Sequence, residues 1–330
     1  FVWCEDAAPP ASWQTDCRPL AGVMACSPGC PLKRQNITAF CGFRTGIECL
    51  PRPYTIADIT SPPQEDLQAL YDTTRNAAMR ACNGVAFNRM KSGAWCLSQR
   101  GKNATHFDLP QGHHPPQPGF VAGLDQLLRV QTPADGTTYL SVADFGAGVG
   151  QLGRALLARD PRHQYQAYDG SGNVEDWTKG FVRFADVTKP LALPKAHWVV
   201  TTEAGEHVPN ALEGTFIRNL HAHNCLGIIL TWANLNQGGT AHINNHDPLY
   251  LRTLFEELGY TFDEQLTAQL LLATGRVPSP QFQNATACLE QMFQPPARLF
   301  YPCCTLQVLR RKKPLRGACK PPGHSSRGSV

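Results

Sequence analysis

Two carboxylates and an imidazole fall within five positions in the stretch Thr202-Glu203-Ala204-Gly205-Glu206-His207-Val208-Pro209. Such a set can do chemistry in two ways. Glu206 or His207 can act as a general base that takes a proton from a hydroxyl. Alternatively, Glu203, Glu206 and His207 can hold a hard divalent ion, Mg²⁺ or Mn²⁺, that lowers the hydroxyl's pKa and positions it. The order E-x-x-E-H is neither H-E-x-x-H nor H-x-x-E-H, so a zinc-protease reading fails. A purely structural reading also stands, with Glu203 bracing a neighbouring loop and Glu206 capping a helix. Further along, residues Trp232 to His246 combine a Gly pair, amides and histidines. They suggest a loop across the mouth of a site. His242 is its candidate base, and Trp232 and Asn244 its candidate substrate contacts; a polar surface loop is the competing reading. His113 and His114, in a proline-rich stretch, can fold over a ligand, although a surface position suits them better.

A second motif, Asp144-Phe145-Gly146-Ala147-Gly148-Val149-Gly150, lies between an apolar run and a helical pattern. Glycines in that position let ligand atoms approach the backbone at a helix N-terminus. The spacing is G-x-G-x-G. A dinucleotide fingerprint would need glycine at Gln151, so a dehydrogenase reading fails. Asp169 closes the next strand, 169 − 146 = 23 residues beyond the first glycine, where a carboxylate can accept both hydroxyl protons of a ribose. Asp186 closes the third and can accept a hydrogen bond from an adenine amino group.

Positioning these groups takes alternating strands and helices, and that pattern begins at Thr138. Strands are expected at 139–144, 164–168, 181–184, 197–202 and 226–232, with helices at 151–159, 212–221 and 249–258. This alternation implies an α/β fold whose mostly parallel sheet is covered on both faces. Residues 303–310 supply a late antiparallel edge strand. Upstream, Ser61-Pro62-Pro63 opens a helix with Ser61 as N-cap, and Asn83-Gly84 ends it. Ala94-Trp95-Cys96-Leu97 is a short apolar island, 113–119 a proline-rich joint, and 120–128 a short helix. Three regions result: a cysteine-rich extension with one helix (1–118), the main domain (119–313) and a basic flexible tail (314–330).

The net charge is 30 − 26 = +4, and seven basic residues without an acidic one lie from Arg310 onward. Residues 1–309 therefore carry 23 − 26 = −3, which leaves the body without a nucleic-acid footprint. Hydrophobic residues make up 42% of the chain, enough for a real core, and no run of apolar residues is long enough to span a membrane. Eight of the thirteen cysteines lie in the first hundred residues and four near the end, with Cys225 alone between them. This distribution suggests a disulfide framework around a core with one free thiol, Cys225. Zinc is the alternative, but Cys26 and Cys30 find no second ligand pair. Three sequons, at Asn36, Asn103 and Asn284, fall in the same flanks. The chain starts at Phe1, which fits removal of a signal peptide or membrane anchor. A secretory-pathway lumen, ER or Golgi, or secretion is the expected location.

The run of elements DFGAGVG, YDGSGN, ADVT and TTEAGEHVP, from about Phe120 to Gly259, resembles class I S-adenosylmethionine-dependent methyltransferases. That resemblance implies a Rossmann-like fold. It implies that Asp144, Gly146, Gly148, Gly150 and Gln151 hold the methionine part of the cofactor. Asp169 and Gly170 would hold its ribose and Asp186 and Val187 its adenine, with Glu203 counted among the cofactor residues. More narrowly, the chain is similar to a little-characterised methyltransferase-like group of eukaryotes and their large viruses. The E-x-x-E-H-V-P window resembles that of ubiquinone-pathway O-methyltransferases, where a divalent metal is implicated. The first 110 residues have only a faint counterpart there, around GAWCL. The implied function is O-methylation of a hydroxyl on a glycan or small metabolite. The alternatives are methylation of a secreted protein and a non-catalytic glycoprotein retaining the fold. The N-P-P-Y motif of amide and base N-methylation is absent.

Overall fold

The computed structural model describes residues 17–20, 23–26, 32–34, 47–49, 52–83, 89–98, 113, 115–132, 136–233, 241–246, 248–273, 305–315 and 319. In the extension, β1 (Cys17–Leu20) pairs antiparallel with β2 (Val23–Cys26), and β3 (Leu32–Arg34) with β4 (Ile47–Cys49). A short helix α1 (Ile56–Thr60) follows, started by a reciprocal capping box between Thr55 and Asp58. The main helix of the extension is α2 (Leu67–Cys82). Its N-cap is Asp66, whose carboxylate accepts from the N–H groups of Gln68 and Ala69, and not Ser61 as expected. Ser61 instead ends α1, and the two prolines after it lie in the link between the helices. Asp66 stands directly before the first helical residue and caps it, while the prolines at 62 and 63 have no N–H to place in a helix.

The main domain begins with α3 (Pro118–Leu128), which starts two residues ahead of the expected 120, and a hairpin of β5 (Arg129–Thr132) and β6 (Gly136–Tyr139). The hairpin takes Tyr139 out of the first core strand. That strand, β7 (Val142–Phe145), is wholly buried and leads through the glycine loop into α4 (Gln151–Arg159). Next come β8 (Tyr165–Asp169), α5 (Val174–Thr178), β9 (Val182–Phe184) and β10 (Ala196–Thr201). They are followed by α6 (Asn210–Ala222), β11 (Asn224–Leu230), α7 (Pro248–Glu257), β12 (Tyr260–Phe262), α8 (Glu264–Ala273) and β13 (Gln307–Arg311).

The sheet order is β12-β13-β11-β10-β7-β8-β9. Pairs from β9 across to β11 are parallel, and β13 runs antiparallel to both β11 and β12. This is the Rossmann-like class I methyltransferase architecture, mostly parallel with one antiparallel strand. The antiparallel strand lies one place in, because β12 pairs along its outer side. Alternate side chains of each central strand feed two cores. Val199, Ile228 and Leu230 pack with Phe216, Leu220, Leu254 and Phe255 on the face covered by α6 and α7. Trp198, Val200 and Ile229 pack with Phe120, Leu124, Leu156 and Leu270 on the face covered by α3, α4 and α8. No described helix is long and apolar enough to cross a membrane.

Two disulfides are formed among the described residues, Cys82–Cys96 and Cys225–Cys319. The second corrects the expectation that Cys225 is a free core thiol. Its partner comes from the tail, which the Leu315 N–H also ties to the Cys225 carbonyl. The sequons at Asn36, Asn103 and Asn284, His114, Cys30 and the side chain of Cys26 lie outside the described residues.

Peptide mapping under non-reducing conditions should recover Cys225 linked to Cys319. Replacing Cys319 with Ser should cost about 2–4 kcal/mol of stability in urea, because the bridge closes a loop of 94 residues. A freely alkylated Cys225 in native protein would remove this pairing.

Candidate active site at the C-terminal ends of the strands

The glycine loop is held by the strand beside it. Gly146 and Ala147 donate their N–H groups to the Tyr168 carbonyl at 2.9 and 3.0 Å, and Gly148 donates to Asp169 Oδ2 at 2.8 Å. Asp169 Oδ1 accepts from the Ser171 backbone and hydroxyl at 2.8 and 2.7 Å. The carboxylate expected to face a ribose therefore also braces the glycine loop. Gly148 has a φ of +58°, and a Cβ there would lie 2.5 Å from the His113 ring. Glycine is required at 148 as much by this imidazole as by any ligand. His113, for which a surface position seemed the better fit, thus lies over the loop.

Asp144, at the end of β7, is 2% exposed and accepts from the Tyr165 hydroxyl through Oδ2. Its Oδ1 and the side-chain oxygen of Gln151 are buried without a hydrogen-bond partner among the described residues. Burial, the main cause, raises the Asp144 carboxyl to about 7, and the negative Asp169 adds to the rise against the Tyr165 hydrogen bond. Asp186 closes β9 and turns back on its own chain, accepting from the Thr188 N–H at 2.9 Å and hydroxyl at 2.6 Å. The half-buried Val187 follows it, with its carbonyl held by Asn219 at 2.8 Å. Gly170 lies against Ala94 of the extension.

After β10 the chain turns sharply. Glu203 adopts φ +51°, and its N–H donates to Thr231 Oγ1 at 2.9 Å. A single 3-10 turn, Gly205–His207, then presents the acid-rich motif. Gly205 has no room for a Cβ, which would meet the Trp232 indole at 2.2 Å. Glu206 is fully buried, and neither carboxyl oxygen makes a regular hydrogen bond among the described residues. Burial first, and then the charge of Glu203, push its pKa well above the usual carboxylate range, while N–H groups of Glu206 and Ala233 oppose the shift. Glu206 does not cap α6, whose N-terminal residue Pro209 offers no side-chain cap.

The His207 Nδ1 lies 3.2 Å from the Ala241 carbonyl, which can only accept, so Nδ1 carries the proton and Nε2 the lone pair of the neutral ring. Burial lowers its pKa to about 4, helped by His242, Arg89 and His113. Ligand atoms of Glu206, His207 and His242 lie within 4.8 Å of one another. The expected trio of Glu203, Glu206 and His207 is therefore replaced by one in which His242 takes the place of Glu203. Its ring is 5.1 Å from that of His207.

His242 arrives there because its loop is pinned from both sides. Ile243 and Asn244 donate their N–H groups to the Glu206 carbonyl at 2.9 and 3.0 Å. Asn244 Nδ2 donates to Glu213 Oε2 at 2.7 Å, and His246 Nε2 bonds to the same oxygen. Tyr250 donates to Glu213 Oε1 at 2.8 Å, and the Tyr54 hydroxyl joins it there. Trp232 and Asn244, expected to touch substrate, are interior: the indole is 1% exposed and donates to the Asn244 carbonyl at 2.6 Å. Sequence reasoning missed Glu213, Tyr54 and Tyr250. It also missed Trp95, whose ring stands edge-on to His207 at 4.8 Å and to His113 at 6.3 Å.

No family model matches the chain, and no curated protein does. Among solved structures, magnesium protoporphyrin IX methyltransferase from Synechocystis PCC 6803 with bound S-adenosylmethionine is similar, with 17% identity. That match covers 62% of this chain and 91% of that one, at a TM-score of 0.34. An O-methyltransferase from neocarzinostatin biosynthesis, in complex with S-adenosyl-L-homocysteine and 1,4-dihydroxy-2-naphthoic acid, matches at 16% identity. It covers 37% of this chain and 44% of that one, at a TM-score of 0.30. An O-methyltransferase family protein from Burkholderia thailandensis matches at 10% identity over 53% and 51% of the two chains, at a TM-score of 0.33.

Burial alone would raise the Glu213 carboxyl, but the facing His246 and the hydrogen bonds it receives outweigh that and hold it at about 2. Its contribution to stability is complete above about pH 4.5 and is lost as pH falls toward 2. Glu213→Gln should cost about 3–5 kcal/mol at pH 7, the penalty for breaking a buried pair from one side. The gap between variant and wild type in urea unfolding should narrow as pH falls from 4.5 to 2. A gap that stays constant with pH would show that the carboxylate charge contributes nothing.

Proposed function

We propose that this chain is an S-adenosylmethionine-dependent O-methyltransferase acting on a hydroxyl of a glycan or small metabolite. One observation carries the reading. The glycine loop with Asp169 and the Glu206–His207–His242 cluster stand on successive strand ends of one sheet, a cofactor cradle beside a proton-accepting or metal-holding group. Ligands of open α/β sheets bind at these carboxyl ends.

The residues fit the cofactor. Asp144 Oδ1 and the Gln151 oxygen are buried acceptors lacking a partner among the described residues, which suits a cationic ligand. In this reading Asp169 and Asp186 would meet the ribose and base of the nucleoside, with Gly170 and Val187 beside them and Glu203 in the next turn. The cofactor would supply an activated methyl group. The chain's own part is to align the hydroxyl, exclude water and take up its proton.

The cluster also fits a divalent ion. Glu206 brings buried oxygens without regular hydrogen bonds among the described residues, and His207 and His242 bring imidazoles. Two nitrogens and one oxygen suit Mn²⁺ or Zn²⁺ better than Mg²⁺. An ion there would lower the hydroxyl's pKa. Without one, the neutral His207 ring has its Nε2 lone pair to serve as base. Two disulfides and three sequons support a lumenal setting, ER or Golgi, and with it a glycan acceptor.

Calorimetric titration should detect S-adenosylmethionine and not NAD. Asp169→Ala should weaken that binding roughly ten- to hundredfold, since ribose hydroxyls would be left unpaired. Unchanged affinity in a folded variant would remove the Asp169 assignment. In a screen of glycans and small hydroxyl compounds with a labelled methyl donor, EDTA should abolish turnover and Mn²⁺ or Zn²⁺ restore it. His207→Ala and His242→Ala should each lose about 10²–10⁴-fold in rate at saturating cofactor. Activity that survives EDTA assigns His207 as a simple base. Wild-type rates in both variants would place the chemistry elsewhere.

A further inference from the structure

The basic run that starts at Arg310 begins as part of the folded surface. β13 ends at Arg311, and the chain beyond it is tied down. The Lys312 N–H donates to the Gly259 carbonyl at 2.9 Å, the Leu315 N–H to the Cys225 carbonyl at 3.0 Å, and Cys319 is bonded to Cys225. This strap lies at the end of the sheet where the parallel strands begin, opposite the glycine loop and the Glu206–His207–His242 cluster. Lys195, just ahead of β10, and Arg311 reach the end of α6 there. The Lys195 ammonium donates to the Ala222 carbonyl and the Arg311 guanidinium to the His221 carbonyl, on consecutive residues. The partial negative charge of the helix end is exceeded by these two full cations. Asp263 accepts from Arg310 at 2.8 Å, and the exposed Glu256 lies 3.7 Å from Lys312. Lys195, Arg311 and Lys313 form no ion pair among the described residues. Burial first, then Arg311 and Lys195, hold the His221 imidazole at about 4, and no carboxylate opposes them. Elsewhere the pattern differs: Asp125 and Asp160 pair with Arg129, Arg159 and Arg162.

We infer that this face is a docking surface for a sulfated polysaccharide, with Lys195, Lys312 and Lys313 as its exposed cations and Arg311 half-buried among them. Cations on a fixed strap suit a polyanion, because little freedom is lost when it binds. Nucleic acid is the competing polyanion, but stacking of bases needs aromatic rings, and no aromatic side chain is exposed among the described residues. A membrane surface calls for apolar anchors, and Leu315, 37% exposed, is the one on this strap. The lumenal setting proposed above supplies sulfate esters. A polymer bound here lies at the far end of the strands from the cluster, so it anchors the protein and is not the acceptor.

Surface plasmon resonance on immobilised heparin, over a range of NaCl concentrations, tests this surface. Wild-type protein should bind at physiological salt. Counterion release on nucleic acids gives a slope of roughly 0.7–0.9 in log affinity against log salt per contact. Lys195→Gln combined with Lys313→Gln should therefore lower that slope by about 1.5. Lys91→Gln combined with Lys179→Gln removes the same charge from exposed positions elsewhere and should keep the wild-type slope. Cys319→Ser keeps every charge but frees the strap, so it should bind heparin more weakly than wild type. Should that variant fail to fold, the two lysine pairs decide. An equal loss in both pairs shows net charge alone at work and overturns the surface. Wild-type protein that passes heparin unretained, or that binds single-stranded DNA or phosphatidylserine vesicles as tightly, also overturns it. Unchanged heparin affinity in folded Cys319→Ser does so too, since a loose basic tail would then serve as well.

Discussion

Four donors from three separate segments meet on one carboxylate, that of Glu213, in the interior between α6 and the loop after β11. Tyr54 comes from the chain ahead of α1, Tyr250 from α7, and Asn244 and His246 from the loop itself. An ionised carboxylate in a fully buried position is tolerated only when its lone pairs are matched in this way. Satisfying it therefore dictates where all three segments lie. Once Asn244 and His246 are fixed, the N–H groups of Ile243 and Asn244 meet the Glu206 carbonyl, and His242 is delivered to His207. The metal-spaced trio is a product of this anchor, which brings His242 beside Glu206 and His207.

The extension is continuous with the site. Gly93 meets the backbone of His207 so closely that a Cβ would lie 2.0 Å from its carbonyl oxygen. Ala94 covers Gly170, and the end of α2 leaves Gly172 no space for a side chain against the Ala78 carbonyl. The Cys82–Cys96 bridge ties the helix to the segment that makes these contacts. Two glycines, 93 and 172, on opposite sides of the boundary, record a fit that forbids even a methyl group.

The cofactor end of the site was legible in the sequence because it is local. A strand, a glycine turn and a helix N-terminus occupy consecutive residues from Val142 to Arg159, and their periodicities change where the motif sits. The acid-rich turn was legible for the same reason. His242 as the partner of Glu206 was not, since the two are joined by backbone bonds across an interval no side-chain pattern reveals. Glu213 sits on a helix where an acidic residue ordinarily faces water, and nothing nearby signals its burial. Cys225 looked solitary because its partner lies 94 residues on, in a stretch whose basic composition suggests a solvated tail. His113 stands in a proline-rich joint, where neither helical nor strand period gives a direction to a side chain. At Ser61 the prolines that follow suggest an N-cap, but Ser61 ends α1, and the helix starts behind Asp66, five residues on.

The position of β13 sets the order in which this sheet can be finished. It enters between β11 and β12, both earlier in the chain, so those two cannot be bridged to each other until residues 307–311 have been made. During synthesis β12 must wait as an unpaired edge, the kind of edge that invites association with other chains. Cys319 follows soon after β13, and its bond to Cys225 at the head of β11 forms across the inserted strand. Because Cys319 is made after β13, the bond can close only on a chain whose inserted strand already exists.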